Sequence, residues 1–302
     1  GALVDELAQT LPTLAQQYEL ILVDDGSRDK SWDIVQAMAS QYDWVSGYKM
    51  MRNYGQHNAL LCGIRAAQYD VIVTMDDDLQ HPPDQIPLLL EQLAGDYDVV
   101  YGSPQRESHG LLRDMASQIT KMVLQGAMGA DTARNISAFR AFRTDLRRGF
   151  NDFRGPFVNI DVLLTWSTRR FIAVTVRHEP RRLGQSNYTL IKLITHAFNM
   201  MTGFSTLPLQ MASLLGFVLT AFGLAVLFYV IVIRIIILGF EVPGFTFLAS
   251  LVSIFAGAQM FVLGIIGEYL ARIHFRTMDR PPFVVGLKAG SASDDQQTKA
   301  GE

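Results

Sequence analysis

The sequence is poor in several things, and each shortage excludes something. Among 302 residues there is one cysteine, Cys62, so no internal disulfide can form. Charge is scarce at 18% of residues, where a soluble domain carries about 25%. The formal net charge is only −3, without the basic footprint of a nucleic-acid-binding protein, and no nucleic-acid partner is expected. No glycine-rich phosphate loop of the GxGxxG or GxxxxGK[ST] type occurs. That absence disfavours dehydrogenases and P-loop ATPases, so any diphosphate must be held by a metal and side chains. The opening GALVDELAQT has neither a basic start nor an apolar run, unlike a secretory leader. The six histidines show no metal-ligand spacing.

What is present is apolar: 49% hydrophobic residues and a mean hydropathy of +0.17. Up to about residue 186 the apolar runs are short and alternate with helical periodicity. Strands are expected at 19–25, 44–51, 70–78 and 97–103. Helices are expected at 27–42, with Ser27 or Asp29 as N-cap, and at 55–68 and 83–94. Alternation of this kind implies crossover units, an α/β domain over 1–186 and a mostly parallel sheet. In such sheets ligands sit beyond the carboxyl ends of the strands.

Toward the C-terminus the pattern changes. No charged residue occurs from Ala197 to Ile233, nor from Val242 to Gly267. Each run exceeds the ~20 residues needed to cross a bilayer. Two transmembrane helices are expected, about 208–238 and 245–273, forming a hairpin. Arg181, Arg182 and Lys192 precede the pair, and Arg272, Arg276 and Arg280 follow it, whereas the connecting loop carries only Glu241. The positive-inside rule then puts both ends, and the soluble domain, in the cytoplasm of a multi-pass membrane protein. Residues 187–207 are expected to form an amphipathic interfacial helix, and 274–302 a cytoplasmic tail with a disordered end.

Both acidic clusters fall at strand ends. VDDGS (23–27) ends one expected strand, and TMDDDLQHPPDQ (74–85) ends another. If the second strand runs through Asp78, Asp76 and Asp78 point to one face and Asp77 to the other. Two such carboxylates with Gln80 suit Mg²⁺ or Mn²⁺ and a phosphorylated ligand. The alternative is a solvated acidic turn capping the next helix. Asp24 and Asp25 fit acceptance from a ribose hydroxyl or base N–H, or a plain helix cap. Cys62 reads as an inert core thiol.

Taken in order, VDDGSRDKS, MRNYGQHNALLCGI, MDDDLQHPPDQIP, NISAFRAFR and RRLGQSNY resemble glycosyltransferase family 2, in its polyprenyl-phosphate branch. The resemblance covers about residues 1–285. It implies a GT-A catalytic domain that transfers a sugar from a nucleotide donor to a polyprenyl phosphate at the cytoplasmic face of a bacterial inner membrane. It places Asp24, Asp25 and Gly26 at the nucleoside and assigns Asp76, Asp78 and Gln80 to a divalent metal. Asp77 orients the sugar or caps the following helix. Ser137 and Arg140 go to the acceptor phosphate, with Arg134 and Arg113 as further candidates and Arg182 and Ser186 beside the membrane. Asn187 stands where the family's pattern has lysine. The resemblance also implies a first strand preceding residue 1 and, in some relatives, a tetramer.

The implied reaction is inverting, with UDP-glucose the first donor to consider. Two rivals are a processive polysaccharide synthase, whose Gln-x-x-Arg-Trp motif is missing here, and a catalytically impaired membrane scaffold. A soluble nucleotidyltransferase is opposed by the hairpin.

Overall fold

The computed structural model describes residues 1–104, 135–155, 158–179, 207–229 and 244–290. They form two compact units. The first contains Gly1–Ile194 and takes up the chain again at Asp279; the second is Thr195–Met278. The described chain opens on α1 (Ala2–Leu14), whose Leu3, Val4 and Leu7 are buried.

Two sheets organise the first unit. In one, β1 (Leu20–Asp24) runs parallel to β2 (Val45–Met50), joined by the crossover helix α2 (Ser31–Gln41). Gly47 lets α2 lie close, since a Cβ there would sit 2.5 Å from Val35 Cγ1. β7 (Val285–Gly290) completes this sheet, antiparallel to β2. The other sheet has the order β3-β5-β4-β6: β3 (Val71–Thr74), β5 (Arg140–Arg143), β4 (Val99–Pro104) and β6 (Phe171–Val176). Here β5 is antiparallel to both neighbours, while β4 and β6 are parallel. The sheets are therefore mixed, not mostly parallel as the alternation of elements predicts. The two exceptions are the short strands β5 and β7, whose direction the periodicity of the sequence does not reveal.

The core lies where α1 and α4 (Ile86–Leu93) cover the second sheet. Leu3, Leu7, Ile86, Leu89 and Leu93 pack with Val100, Phe139, Ala141 and Val176. α3 (Gln56–Ala66), which packs against β1, is closed at its C-terminus by Arg147, whose Nη1 donates to the carbonyls of Ile64, Arg65 and Ala67 at 3.0, 3.1 and 2.8 Å. A cation at those carbonyls also meets the negative end of the helix dipole. Cys62 is buried on α3, and burial pushes its thiol up to about 12, in keeping with an unreactive core residue.

The second unit contains α6 (Leu207–Phe228) and α7 (Phe245–Thr277). They touch at Gly223, where a Cβ would lie 3.2 Å from the Phe255 ring. One stretch of α7, Ile254–Thr277, is long and apolar enough to cross a membrane, with mean hydropathy 1.6 and none of it buried. α6 holds a shorter apolar helix, Pro208–Gly223. The expected interfacial helix before residue 207 lies outside the described residues.

Candidate active site

The acidic turn follows β3, but not as an extended strand. β3 stops at Thr74, and Asp77 and Asp78 already lie in a turn. Strand alternation therefore does not set the directions of Asp76 and Asp78, contrary to the sequence expectation. The turn itself separates them: Asp76 and Asp78 are half-buried, and Asp77 is exposed. Leu79 adopts φ 58°, a left-handed conformation that costs a branched residue about 1–3 kcal/mol. Its side chain is only 7% exposed and packs with Leu3, Leu7 and Ile86, which offsets the strain. The core thus holds the carboxylates in place.

Burial pushes the Asp76 carboxyl up, and the Asp78 carboxylate pushes it further, while Arg140 and a hydrogen bond from Gln56 oppose this. Gln56 Nε2 donates to Asp76 Oδ1 at 2.8 Å. Gln80 donates its backbone N–H to Asp78 Oδ1 at 3.2 Å, and its carbonyl accepts from Glu179 N–H at 2.8 Å. The Gln80 amide nitrogen also lies 3.4 Å from His178 Nε2. His178 packs edge-on against His81, which is stacked on Phe139. Burial and His178 hold the His81 imidazole below its usual range.

Arg140 is the surprise. It is 2% exposed, and its Nη1 is paired with Asp161 at the start of α5 (Ile160–Thr165). Its Nε donates to Thr74 Oγ1 at 3.1 Å, and Thr74 Oγ1 donates to the Ala138 carbonyl at 2.7 Å. Tyr101 Oη donates to the same Asp161 oxygen at 2.9 Å. Thr74, Arg140 and Tyr101 are register partners across β3, β5 and β4, so the strands set this row abreast. A guanidinium spent in this way is not laid open for an acceptor phosphate. Its positive charge acts on Asp76, opposing the upward push of burial on that carboxyl. Ser137, from the same motif, accepts from the Phe139 N–H at 3.1 Å. Arg113, Arg134, Arg182, Ser186 and Asn187 lie outside the described residues.

At the end of β1, Asp24 is 5% exposed. Its Oδ1 accepts from Ser27 N–H at 2.8 Å. Its buried Oδ2 has no hydrogen-bond partner, and Lys49 Nζ stands 3.8 Å away. Asp25 is committed: Oδ1 accepts from Tyr54 N–H at 2.7 Å and Oδ2 from Gly55 N–H at 2.8 Å. Gly26, at φ 71°, has a structural reason to be glycine, because a Cβ would lie 2.4 Å from the Arg52 carbonyl carbon. Neither Ser27 nor Asp29 is the N-cap of α2; that position is Lys30, and Asp29 accepts from Ser31 N–H just before the helix.

Sequence reasoning missed Gln56, Asp161, Tyr101, Thr74 and His178. Gln56 lies within RNYGQH, which the sequence offered only as family flavour. Thr74 and Tyr101 come abreast through strand register, and Asp161 and His178 join the site from α5 and from beyond the end of β6, placements that a linear reading does not see.

The site thus sits on an α/β domain with two acidic strand ends, one of which holds a buried carboxylate oxygen without a hydrogen-bond partner. The model of the family described as "Glycosyl transferase family 2" matches residues 4–151. An undecaprenyl-phosphate 4-deoxy-4-formamido-L-arabinose transferase from Yersinia enterocolitica is 33% identical over 96% of this chain and 89% of its own length. A protein of the same name from Shewanella sediminis is 33% identical over 94% of this chain and 88% of its own. Among solved structures, glucosyl-3-phosphoglycerate synthase from Mycobacterium tuberculosis aligns at TM-score 0.48 and 16% identity, over 67% of this chain and 73% of that one. The chain belongs to glycosyl transferase family 2 and is a glycosyltransferase, with the GT-A type of α/β catalytic fold.

Proposed function

We propose that the protein transfers a sugar from a nucleoside-diphosphate donor, most simply a UDP-sugar, to a polyprenyl phosphate of the undecaprenyl class, with inversion at the anomeric carbon. The observation that carries this is the pair of half-buried carboxylates, Asp76 and Asp78, held by the Leu79 turn, together with a buried Asp24 oxygen at the end of β1 that lacks a hydrogen-bond partner. Asp24 accepts from the base or ribose, while Asp25 and Gly26 shape the turn around it. The names of the relatives support a polyprenyl-phosphate acceptor. They also move 4-deoxy-4-formamido-arabinose ahead of glucose as the first sugar to try.

The donor set fits a divalent cation, Mg²⁺ or Mn²⁺. Asp76 and Asp78 repel each other, and among the described residues no three His, Cys, Asp or Glu side chains converge as a closed metal cage. An open two-carboxylate edge with Gln80 leaves most of the coordination shell to water and phosphate oxygens, as Mg²⁺ prefers. When bound, the cation neutralises charge on the departing diphosphate. No general base is required. A phosphate monoester has its second pKa near ~6, so the acceptor is already a nucleophilic dianion at neutral pH. One acceptor oxygen bonds to the anomeric carbon as the bond from that carbon to the diphosphate oxygen breaks, and the nucleoside diphosphate leaves with the electron pair. Arg140 and Asp161 form a fixed charge pair whose arginine acts on Asp76; neutralisation of the acceptor phosphate falls to Arg134 and Arg182, with Ser137 and Ser186 as hydrogen-bonding hydroxyls. Asp77 is exposed and free to meet the sugar.

The catalytic unit lies on the cytoplasmic face, and α6 and α7 belong to the membrane hairpin read from sequence as 208–238 and 245–273, of which 230–238 lie outside the described residues. The chain leaves the first unit before α6 and returns to it in β7, which pairs with β2. That return supports a topology in which both flanks of the membrane unit lie on one side and the bilayer is crossed an even number of times.

The test is a transfer assay in membranes with undecaprenyl phosphate, Mg²⁺ or Mn²⁺, and labelled UDP-4-deoxy-4-formamido-arabinose, UDP-glucose, UDP-N-acetylglucosamine and GDP-mannose. Metal-dependent label in lipid from one donor is the expected result. No label from any donor would favour the scaffold reading.

A further inference from the structure

The segment Arg52–Asn58 links the two acidic edges mechanically. The Asp25 carboxylate grips two consecutive amides, Tyr54 N–H at 2.7 Å and Gly55 N–H at 2.8 Å. Such a fork fixes both position and orientation of the backbone where α3 begins. Gly55, at φ 96°, is the N-cap of α3, a backbone conformation that favours glycine although the space around it is open. Asn58 Nδ2 closes the turn by donating to the Tyr54 carbonyl at 2.7 Å. The residue before it, His57, accepts from Ile160 N–H at 3.3 Å and ties α3 to the start of α5. The first residue of α3, Gln56, thus projects from a platform fixed on both sides, and its amide donates to Asp76 at 2.8 Å across 20 positions of sequence.

We propose that Gln56 is a positioning residue that orients the Asp76 carboxylate toward the donor's diphosphate, and that Asp25 acts through Gln56 by holding the Tyr54–Gly55 backbone. A carboxylate accepts only, and a glutamine amide can donate, so the contact has one sense. With Oδ1 committed to Gln56, Oδ2 of Asp76 is the oxygen turned to a cation. Outer partners of this kind typically change metal affinity about 10–100-fold when removed. The proposal rests on the metal-assisted transfer argued above. It assigns to Asp25 a task different from direct contact with the nucleoside.

The experiment uses the full chain in detergent and reads Mn²⁺ binding by electron paramagnetic resonance, alongside UDP binding without metal and the thermal unfolding midpoint. The variants are Gln56→Met, which keeps length without the donor, Gln56→Ala, Asp25→Asn and, as reference, Asp78→Asn. Both Gln56 variants should weaken Mn²⁺ binding by about 10-fold or more, with metal-free UDP binding and the unfolding midpoint unchanged. Asp25→Asn should weaken Mn²⁺ in the same direction. Unchanged Mn²⁺ affinity in Gln56→Met, together with its loss in Asp78→Asn, overturns the role of Gln56 and leaves the proposed reaction standing. Unchanged affinity in Asp78→Asn as well, or no Mn²⁺ bound by the parent chain, overturns the metal reading and this inference with it.

Discussion

Arg140 carries the clearest lesson at the scale of single residues. A buried ion pair is a poor source of net stability, but breaking one leaves an uncompensated charge. Arg140→Ala strands Asp161 among buried groups and should cost about 3–5 kcal/mol, read from unfolding in detergent. Any rise in the Michaelis constant for the lipid phosphate should come with that loss, not in isolation. A stable Arg140→Ala protein with a selective acceptor defect would instead restore the arginine to the phosphate. Asp78 behaves oppositely. It is half-buried in a turn held by Leu79, so Asp78→Asn should keep the fold and abolish transfer. Retained turnover would remove the metal role. Gly26→Ala meets both a φ of 71° and the Arg52 backbone, and should destabilise by roughly 1–3 kcal/mol, measured by the unfolding midpoint.

Among the elements, β5 and β6 are fastened by Asp98, which sits just before β4. Arg170 grips its carboxylate with Nη2 and Nε at 2.6 and 3.0 Å, Thr168 Oγ1 adds a bond at 2.6 Å, and Arg143 Nε stands 3.6 Å away. These partners, Arg170 foremost, hold the Asp98 carboxyl below its usual range, against the opposing effect of burial. A lowered carboxyl stabilises the fold above the unfolded-state pKa of about 3.9. That contribution fades as pH falls through the lowered folded value, because the unfolded chain takes up the proton first. Asp98→Asn should therefore lower the unfolding midpoint at neutral pH and flatten its decline below about pH 4. An unchanged acid slope would place the acid sensitivity elsewhere. The strands β1 to β4 were legible in the sequence within a few residues, because each is an apolar run bounded by turn residues. β7 was not. VGLKAG has no alternation to announce a strand, and KAG was read as part of a disordered tail, yet β2 recruits it by antiparallel pairing.

At the scale of the whole molecule, β7 constrains the route of the chain. It returns the chain to the first unit after α7, and under the proposed hairpin the segment between begins and ends on one side of the bilayer. Cys62 is buried and its thiol is pushed up to about 12, so it needs no removal before cysteine mapping. In intact cells a membrane-impermeant maleimide should label Gly239→Cys and not Leu287→Cys. Labelling of both, or of neither, would discard the hairpin.

The sequence by itself determined the class of protein, through the family resemblance of its motifs taken in order. Acidic strand ends, a missing phosphate loop and two long uncharged runs agree with that class, and such local order survives without coordinates. It also picked out Asp24, Asp76 and Asp78, because an acid at the end of an apolar run is visible in one dimension. Tertiary structure alone decided which groups those acids meet. Gln56 reaches Asp76, and Arg140 turns inward to Asp161, through contacts 20 and 21 residues apart. Such pairings are set by strand register and helix packing, in which neighbours in space bear no fixed relation to neighbours in sequence.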